Sequence, residues 1–219
     1  MNLPAILILA AEAAAFQNMV PRSNNLGWGY LSYSRNTKAD QGSTFFKLIV
    51  GRDGKPEKCV VLLSTQNAAL DKAVCIHAMK FRYKPARDDK GQPTYGVAET
   101  MISFSRDRSG TIFLQEPDYV VHLETVPEDL PPKSYVKVTV LVDEEGKLKG
   151  CDPGPPVKDQ GKLNDFITRL QALSCKELFT VWDPLVETNL AKERISYVRT
   201  ISVGFQRYAG SPVPPAQRN

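Results

Sequence analysis

The residues of this chain with the most specific chemistry are four cysteines, Cys59, Cys75, Cys151 and Cys175, and two histidines, His77 and His122. A cysteine can serve as a nucleophile, a metal ligand or half of a disulfide, and spacing decides among the three. Structural zinc wants close pairs such as Cys-x-x-Cys, and the chain has none. Cys75 and His77 stand two apart in a stretch of helical character, so they point to different sides and make a poor nucleophile and base. Neither a Gly-x-Ser-x-Gly elbow nor a phosphate-binding loop occurs. The chain therefore reads as having no catalytic residue, no metal and no cofactor. A hydrolase using His77 or His122 would need a deep pocket lined by convergent polar groups. Disulfides are the remaining role, and four cysteines allow three pairings.

An internal repeat selects among those pairings. The stretch from Phe45 to Phe104 begins with an apolar run, Phe45-Phe46-Lys47-Leu48-Ile49-Val50, and turns at Asp53-Gly54. Shifted by 92 residues, Val138, Val140 and Val142 take the places of Phe46, Leu48 and Val50, and the turn recurs at Glu145-Gly146. Cys151 falls five residues after its turn glycine, as Cys59 does. Leu170 stands five before Cys175, as Leu70 stands five before Cys75. Eight extra residues around Asp152-Pro153-Gly154-Pro155-Pro156 separate the two halves of the second copy. The same features in the same order twice indicate a tandem repeat of one small domain. If each unit is self-contained, Cys59 pairs with Cys75 and Cys151 with Cys175, each bond joining a second strand to a helix.

The elements around those cysteines follow from periodicity. Phe46, Leu48 and Val50 share one face of a strand by the period of two. Arg52-Asp53-Gly54-Lys55 is a hairpin signal. The returning strand places Cys59, Val61 and Leu63 on one face. Leu70, Val74, Ala78 and Phe81 recur at helical spacing, with capping oxygens offered by Ser64-Thr65-Gln66-Asn67. Lys84-Pro85 closes the helical region, and Tyr95 to Phe104 makes a third strand. The second unit repeats the order, with Leu163, Phe166, Ile167, Leu170 and Leu173 as its helix stripe and Ile195 to Phe205 as its closing strand. The fold class is α+β: two tandem β-β-α-β units, each a three-stranded antiparallel-type sheet with one helix packed on one face.

The chain divides on this reading into six parts. Residues 1–15 are a secretory leader, with an apolar core from Leu3 to Ala11 and small residues Ala13-Ala14-Ala15 before a cut at Phe16; a short buried helix is the alternative. Residues 16–44 form an N-terminal arm with an aromatic patch, Trp28, Tyr30 and Tyr33. The first unit spans 45–106, and a connector with extra strands near Ile112-Phe113-Leu114 and Tyr119 to Thr125 spans 107–133. The second unit spans 134–207, and 208–219 is a disordered tail. A length of 219 residues suits two domains, and no run of 18 apolar residues could span a membrane. A net charge of +4 is too small to indicate nucleic acid.

The first unit resembles the C-terminal domain of TonB, the energy transducer of Gram-negative envelopes. The residues that carry the resemblance are the strand and Asp53-Gly54 turn, a second strand running to Leu63-Ser64-Thr65, and Leu70-Asp71 opening the helix. Phe81-x-x-x-Pro85-Ala86, Gly91-Gln92-Pro93 and a last strand ending in Ile102-Ser103-Phe104 complete it. One cysteine on the second strand and one on the helix is similar to a cysteine-bearing branch of the family. Asp118-Tyr119-Val120 is the nearest match to the Tyr-Pro pair that often precedes the family's first strand.

The resemblance implies a non-catalytic, periplasmic protein-binding module. In that family the last strand is an exposed edge that a short segment of an outer-membrane transporter pairs with by strand addition. Here the implied edge residues are Tyr95, Val97, Glu99, Met101 and Ser103 in the first unit, and Ile195, Tyr197, Arg199, Ile201 and Val203 in the second. Glu99 and Arg199 would serve equally as protective edge charges, and each edge could instead be covered by the other unit or by the aromatic arm. The implied partner is a protein or peptide, with no nucleic acid and no membrane span. The competing reading is a structural envelope protein that forms a homodimer and has no transport role.

Overall fold

A computed structural model describes residues 17–21, 42–104, 118–123, 134–154 and 162–207. The expected leader, the aromatic patch of Trp28, Tyr30 and Tyr33, the strand near Ile112 and the tail lie outside the described residues. Along the chain run β1 (Val20–Pro21), β2 (Gly42–Val50), β3 (Pro56–Leu63), α1 (Ala68–Ala78), β4 (Tyr83–Lys84), β5 (Ala86–Arg87) and β6 (Pro93–Phe104). They continue as β7 (Tyr119–Leu123), β8 (Ser134–Val142), β9 (Leu148–Asp152), α2 (Lys162–Val181), β10 (Glu187–Thr188), β11 (Arg194–Ile195) and β12 (Tyr197–Arg207). Among the described residues, no helix is long and apolar enough to cross a membrane.

Local signals account for these elements. At the first hairpin the Asp53 carboxylate accepts from the Lys55 amide at 2.9 Å, and Gly54 takes the left-handed conformation at φ 79°. The Gly54 position also has no room: an added Cβ would lie 2.1 Å from the Tyr83 carbonyl oxygen. The β8–β9 hairpin is built alike, with the Asp143 carboxylate accepting from the Glu145 and Lys147 amides at 3.1 and 2.7 Å. Asn67 caps α1, its side-chain oxygen accepting from the Ala69 and Leu70 amides at 3.1 and 3.3 Å. The helix ends at Ala78, so Phe81, expected on its buried stripe, lies just beyond it and packs beside the core.

The strands do not form two separate three-stranded sheets, as the sequence led us to expect. They form one sheet in the order β3-β2-β6-β12-β8-β9, with β5 added to β6 and β7 added to β12. The two closing strands lie side by side and parallel, Tyr95 opposite Tyr197 and Val97 opposite Arg199. The reason is visible in their composition. Val97 is fully buried on one face and Gly96 and Ala98 sit on the other; in β12, Tyr197 is buried on one face and Val198 on the other. A strand apolar on both faces needs two covers, and one helix per unit supplies only one.

Two cores result, on opposite faces of the sheet. Alternate residues of a strand point to opposite sides. Phe46, Leu48 and Val50 pack with Val74 and Ala78 of α1, whereas Ile49 joins the core under α2. In β8 the parity reverses: Val138, Val140 and Val142 pack with Leu170 and Leu178 of α2, whereas Leu141 joins the core under α1. Each helix therefore covers its own half, and each core also takes in residues from the other half.

The turn glycine gives a direct check. Gly54→Ala adds a Cβ against the Tyr83 carbonyl and forces a left-handed alanine, so it should lower stability by about 3 kcal/mol. Gly91, at φ 73° with nothing near its missing Cβ, isolates the conformational part, and Gly91→Ala should cost only about 1 kcal/mol. Urea titration of the two variants measures the difference. Equal losses would mean that the carbonyl contact is not tight.

Candidate functional site

The cysteines are consumed as cross-links. Cys59 on β3 is bonded to Cys75 on α1 with 5.6 Å between Cα atoms, and Cys151 on β9 to Cys175 on α2 with 5.5 Å. Among the described residues no thiol is left free. Each bond closes a loop of 16 or 24 residues, worth about 3 kcal/mol in the chain-entropy account. The histidines lie on different elements. His77, on α1, meets the Phe81 ring edge-on at 4.9 Å, and burial followed by the nearby Lys80 charge pushes its imidazole below the ordinary value. His122 is exposed on β7. Among the described residues no group of His, Cys, Asp and Glu could hold a metal ion.

The ten expected edge residues are divided by the pairing. Tyr95 and Val97 have β2 or its turn on one side and β12 on the other. Tyr197 and Arg199 lie between β8 and β6, and Val203 lies between β8 and β7. Ile201 pairs with Val138 of β8 and is fully buried, and Ile195 pairs with Glu187. At these positions the reading of the closing strands as free edges is corrected. The backbone is spent on neighbours because the two strands cover one another. Glu99, Met101 and Ser103 differ: from Ala98 to Phe104, β6 pairs with β2 alone among the described residues. On β12, where Tyr197 matches Gly96 in register, Val203 to Arg207 carry β7 as a parallel neighbour, and of these Val203 to Phe205 match Ile102 to Phe104. One half thus has its slot filled, and in the other no described strand fills it.

Charges hold the two closing strands in register. The Arg199 guanidinium donates to both Glu99 carboxylate oxygens at 3.2 and 2.9 Å and to Asp118 at 2.5 Å. Asp118 also accepts from the Ser202 amide at 2.7 Å, which fixes the start of β7 against β12. Lys47 pairs with Glu187 at 2.5 Å, and Lys58 donates to the Thr188 hydroxyl at 3.2 Å, so the segment after α2 is fastened across the first half. Arg199, Glu99, Lys47 and Glu187 are all largely buried. Removing one member of such a pair strands a charge and typically costs about 3–5 kcal/mol. Glu99 and Arg199 are therefore internal ties and not protective charges on an edge.

Sequence reasoning missed the roles of Lys47, Glu187 and the arm residues Asn18 and Met19, and noted Asp118 only as part of a motif. The available signal was a lone lysine inside the apolar run Phe45 to Val50, which implies a buried partner. Asp71 was noted only as part of a motif. It is buried at the first turn of α1 and accepts from Ser64 Oγ at 2.5 Å, Thr44 Oγ1 at 2.9 Å, and the Thr65 amide and hydroxyl at 3.0 Å. Burial alone would raise its pKa, but the hydrogen bonds from Ser64, Thr65 and Thr44 outweigh that and hold it below the ordinary 3.8.

A depressed folded-state pKa stabilises the fold above the unfolded value and ceases to do so as pH falls through the folded value. Asp71→Asn should therefore cost about 2 kcal/mol at pH 7, the worth of charge-assisted bonds, and the gap to the parent should shrink below about pH 4. Denaturant titrations at pH 7 and pH 3 would show this. A gap that is constant with pH would mean the carboxylate charge is not what matters.

Comparison with known proteins yields one match. Residues 32–105 match the family model for the Gram-negative bacterial TonB protein C-terminal, a span that takes in β2 through β6. No curated protein matches the chain, and no solved structure does. The first unit, with its β2–β3 hairpin, α1 and β6, is a TonB C-terminal-like domain.

Proposed function

We propose that this protein is a non-catalytic binding module of the Gram-negative periplasm that takes an extended peptide segment of a partner protein by strand addition. The observation that carries the reading is the backbone of β6 from Ala98 to Phe104, which among the described residues pairs with β2 alone, within the TonB C-terminal-like domain. On β12 the residues matching Ile102 to Phe104 in register, Val203 to Phe205, already hold a parallel strand, β7, so this geometry accommodates an added strand there. Glu99, Met101 and Ser103 lie along that edge, where backbone rather than side chains would meet a partner, the Glu99 carboxylate being tied to Arg199. The partner of this reading is a segment of an outer-membrane transporter, and the link to TonB-dependent transport rests on the family match.

Two further points belong to the same reading. The second half is a divergent copy of the first, since Val50 pairs with Gly96 as Val142 pairs with Tyr197, and both disulfides join a second strand to a helix. Two disulfides suit an oxidising compartment, which agrees with a cleaved leader and periplasmic residence. The pattern of one cysteine on that strand and one on the helix supports membership of the cysteine-bearing branch of the family.

In an antiparallel ladder successive residues direct their amides alternately toward the neighbour and away from it. Of Thr100→Pro and Met101→Pro, one therefore breaks the β2–β6 ladder and the other removes only an outward donor. The outward variant should keep its far-ultraviolet dichroism and both disulfides. It should also retain at least tenfold less of an outer-membrane partner captured from a periplasmic and envelope extract. A folded proline variant that binds as well as the parent would contradict strand addition here. Capture of a second copy of the chain alone would favour the dimerising reading.

A further inference from the structure

The arm residues 17–21 already form an added strand, at a place distinct from the Ala98 to Phe104 stretch of β6. Gln17 and Arg87 exchange backbone hydrogen bonds, at 3.0 Å from the Gln17 amide and 2.8 Å from the Arg87 amide. Val20 and Pro21 continue the antiparallel pairing opposite Lys84 and Tyr83. Between these points the Met19 side chain turns inward, 8% exposed, into the core with Leu48, Val50, Tyr83, Ala86 and Val198. Asn18 reaches across to the second half, its amide donating to the Thr200 hydroxyl at 2.6 Å.

Met19 enters because Gly96 leaves a hole. A Cβ placed on Gly96 would lie 2.9 Å from Met19 Cγ and Sδ and 3.0 Å from its Cβ. Contacts that close along the whole side chain select a slim, unbranched residue, and methionine is the usual filler of such gaps. The other half makes the comparison. Val50 pairs with Gly96, and its counterpart Val142 pairs with Tyr197. The Tyr197 ring is buried, and its hydroxyl donates to the Leu185 carbonyl at 2.8 Å. Burial, reinforced by the nearby Glu187 charge, pushes that phenol well above its ordinary value, so it stays a donor. Leu185 stands where Lys84 stands in the first half, because the carbonyl of the preceding residue, Pro184 or Tyr83, closes on the turn glycine in each. The second half thus fills its cavity with its own strand. The first half leaves the cavity to a separate segment.

We infer that the edge Tyr83–Arg87 and the hole over Gly96 form a peptide-binding site, and that Gln17–Pro21 is its resident, exchangeable ligand. The site takes an extended peptide of the arm's chemistry: an unbranched apolar side chain seated over Gly96, preceded by a short amide side chain that reaches Thr200. A contact of one buried side chain and a few ladder bonds at the end of a chain belongs to the least stable part of a fold. While the arm is attached, its high effective concentration keeps other peptides out.

The test uses the full chain with a specific protease site inserted between Ser23 and Asn24, cut after folding. The probe is a labelled synthetic peptide of residues 16–24. The cut protein should exchange its arm for the probe saturably, and a Met19→Asp peptide should compete at least tenfold more weakly. The uncut chain should take up no probe. Gly96→Ala in the cut protein should abolish uptake with the dichroism unchanged, since the three atoms nearest its Cβ all belong to Met19 of the arm. If release of the arm unfolds the cut protein, the parent peptide should restore its dichroism and the Met19→Asp peptide should not. Failure of the parent peptide to exchange or to restore the fold would overturn the inference. Equal action of the Met19→Asp peptide would do the same.

Discussion

The structure depends on one constraint: both closing strands are apolar on two faces. Gly96, Val97 and Ala98 present no polar side to water, and neither do Tyr197 and Val198. Burial of apolar surface stabilises by about 25 cal/mol per Å², so an uncovered second face on either strand would be a large loss for a small unit. Setting β6 beside β12 lets each half lend the other a cover. The segment after α2 crosses the back of the first half through Lys47 and Glu187, and Met19, Tyr83 and Ala86 pack beside Leu141 and Val198 of the second. A parallel contact between strands so far apart in sequence is slow to find, because chain entropy must be lost before the contact rewards it. The two disulfides are local to each half and can form before that contact.

The same constraint limits where a partner can bind. Backbone committed to β12, β7 and β5 cannot pair with a partner strand. Among the described residues, what is left unpaired is short: Ala98 to Phe104 on β6, and the outer sides of β3 and β9 at the ends of the sheet. The halves have also diverged in polar chemistry. Asp71 gathers Thr44, Ser64 and Thr65 at the start of α1, whereas the corresponding Gln171 has a buried oxygen with no hydrogen-bond partner among the described residues, and Val136 stands in place of Thr44. The first half is also the one that carries the unpaired described stretch of β6 and the arm's cavity.

Much of the local structure was legible in the sequence. The alternation of Phe46, Leu48 and Val50, the Asp53-Gly54 turn and the Leu70, Val74, Ala78 spacing each rest on contacts within a few residues. The disulfide partners followed from the repeat, since register alone paired Cys59 with Cys75 and Cys151 with Cys175. The neighbours of the closing strands did not follow, because strand order is set by which faces need covering and not by local periodicity. A hint was present: Val97 and Ala98 are both apolar, as are Tyr197 and Val198, which suits an interior strand better than an edge. For ion-pair partners 140 residues apart, such as Lys47 and Glu187, the lone lysine in its apolar run signals that a partner exists but not which residue it is. Met19 in the arm was unreadable, since its site is created by a missing side chain at Gly96.

The central claim is that the two halves share one sheet and lend each other cover, so that neither opens alone. Native-state hydrogen exchange followed by mass spectrometry tests it most directly, with both disulfides intact. Amides of β2 from Phe46 to Val50 and of β8 from Val136 to Val142 should reach the same slowest opening free energy. Under conditions where opening limits exchange, they should become deuterated together in the same molecules. A population in which one half is fully exchanged while the other stays protected would contradict the account.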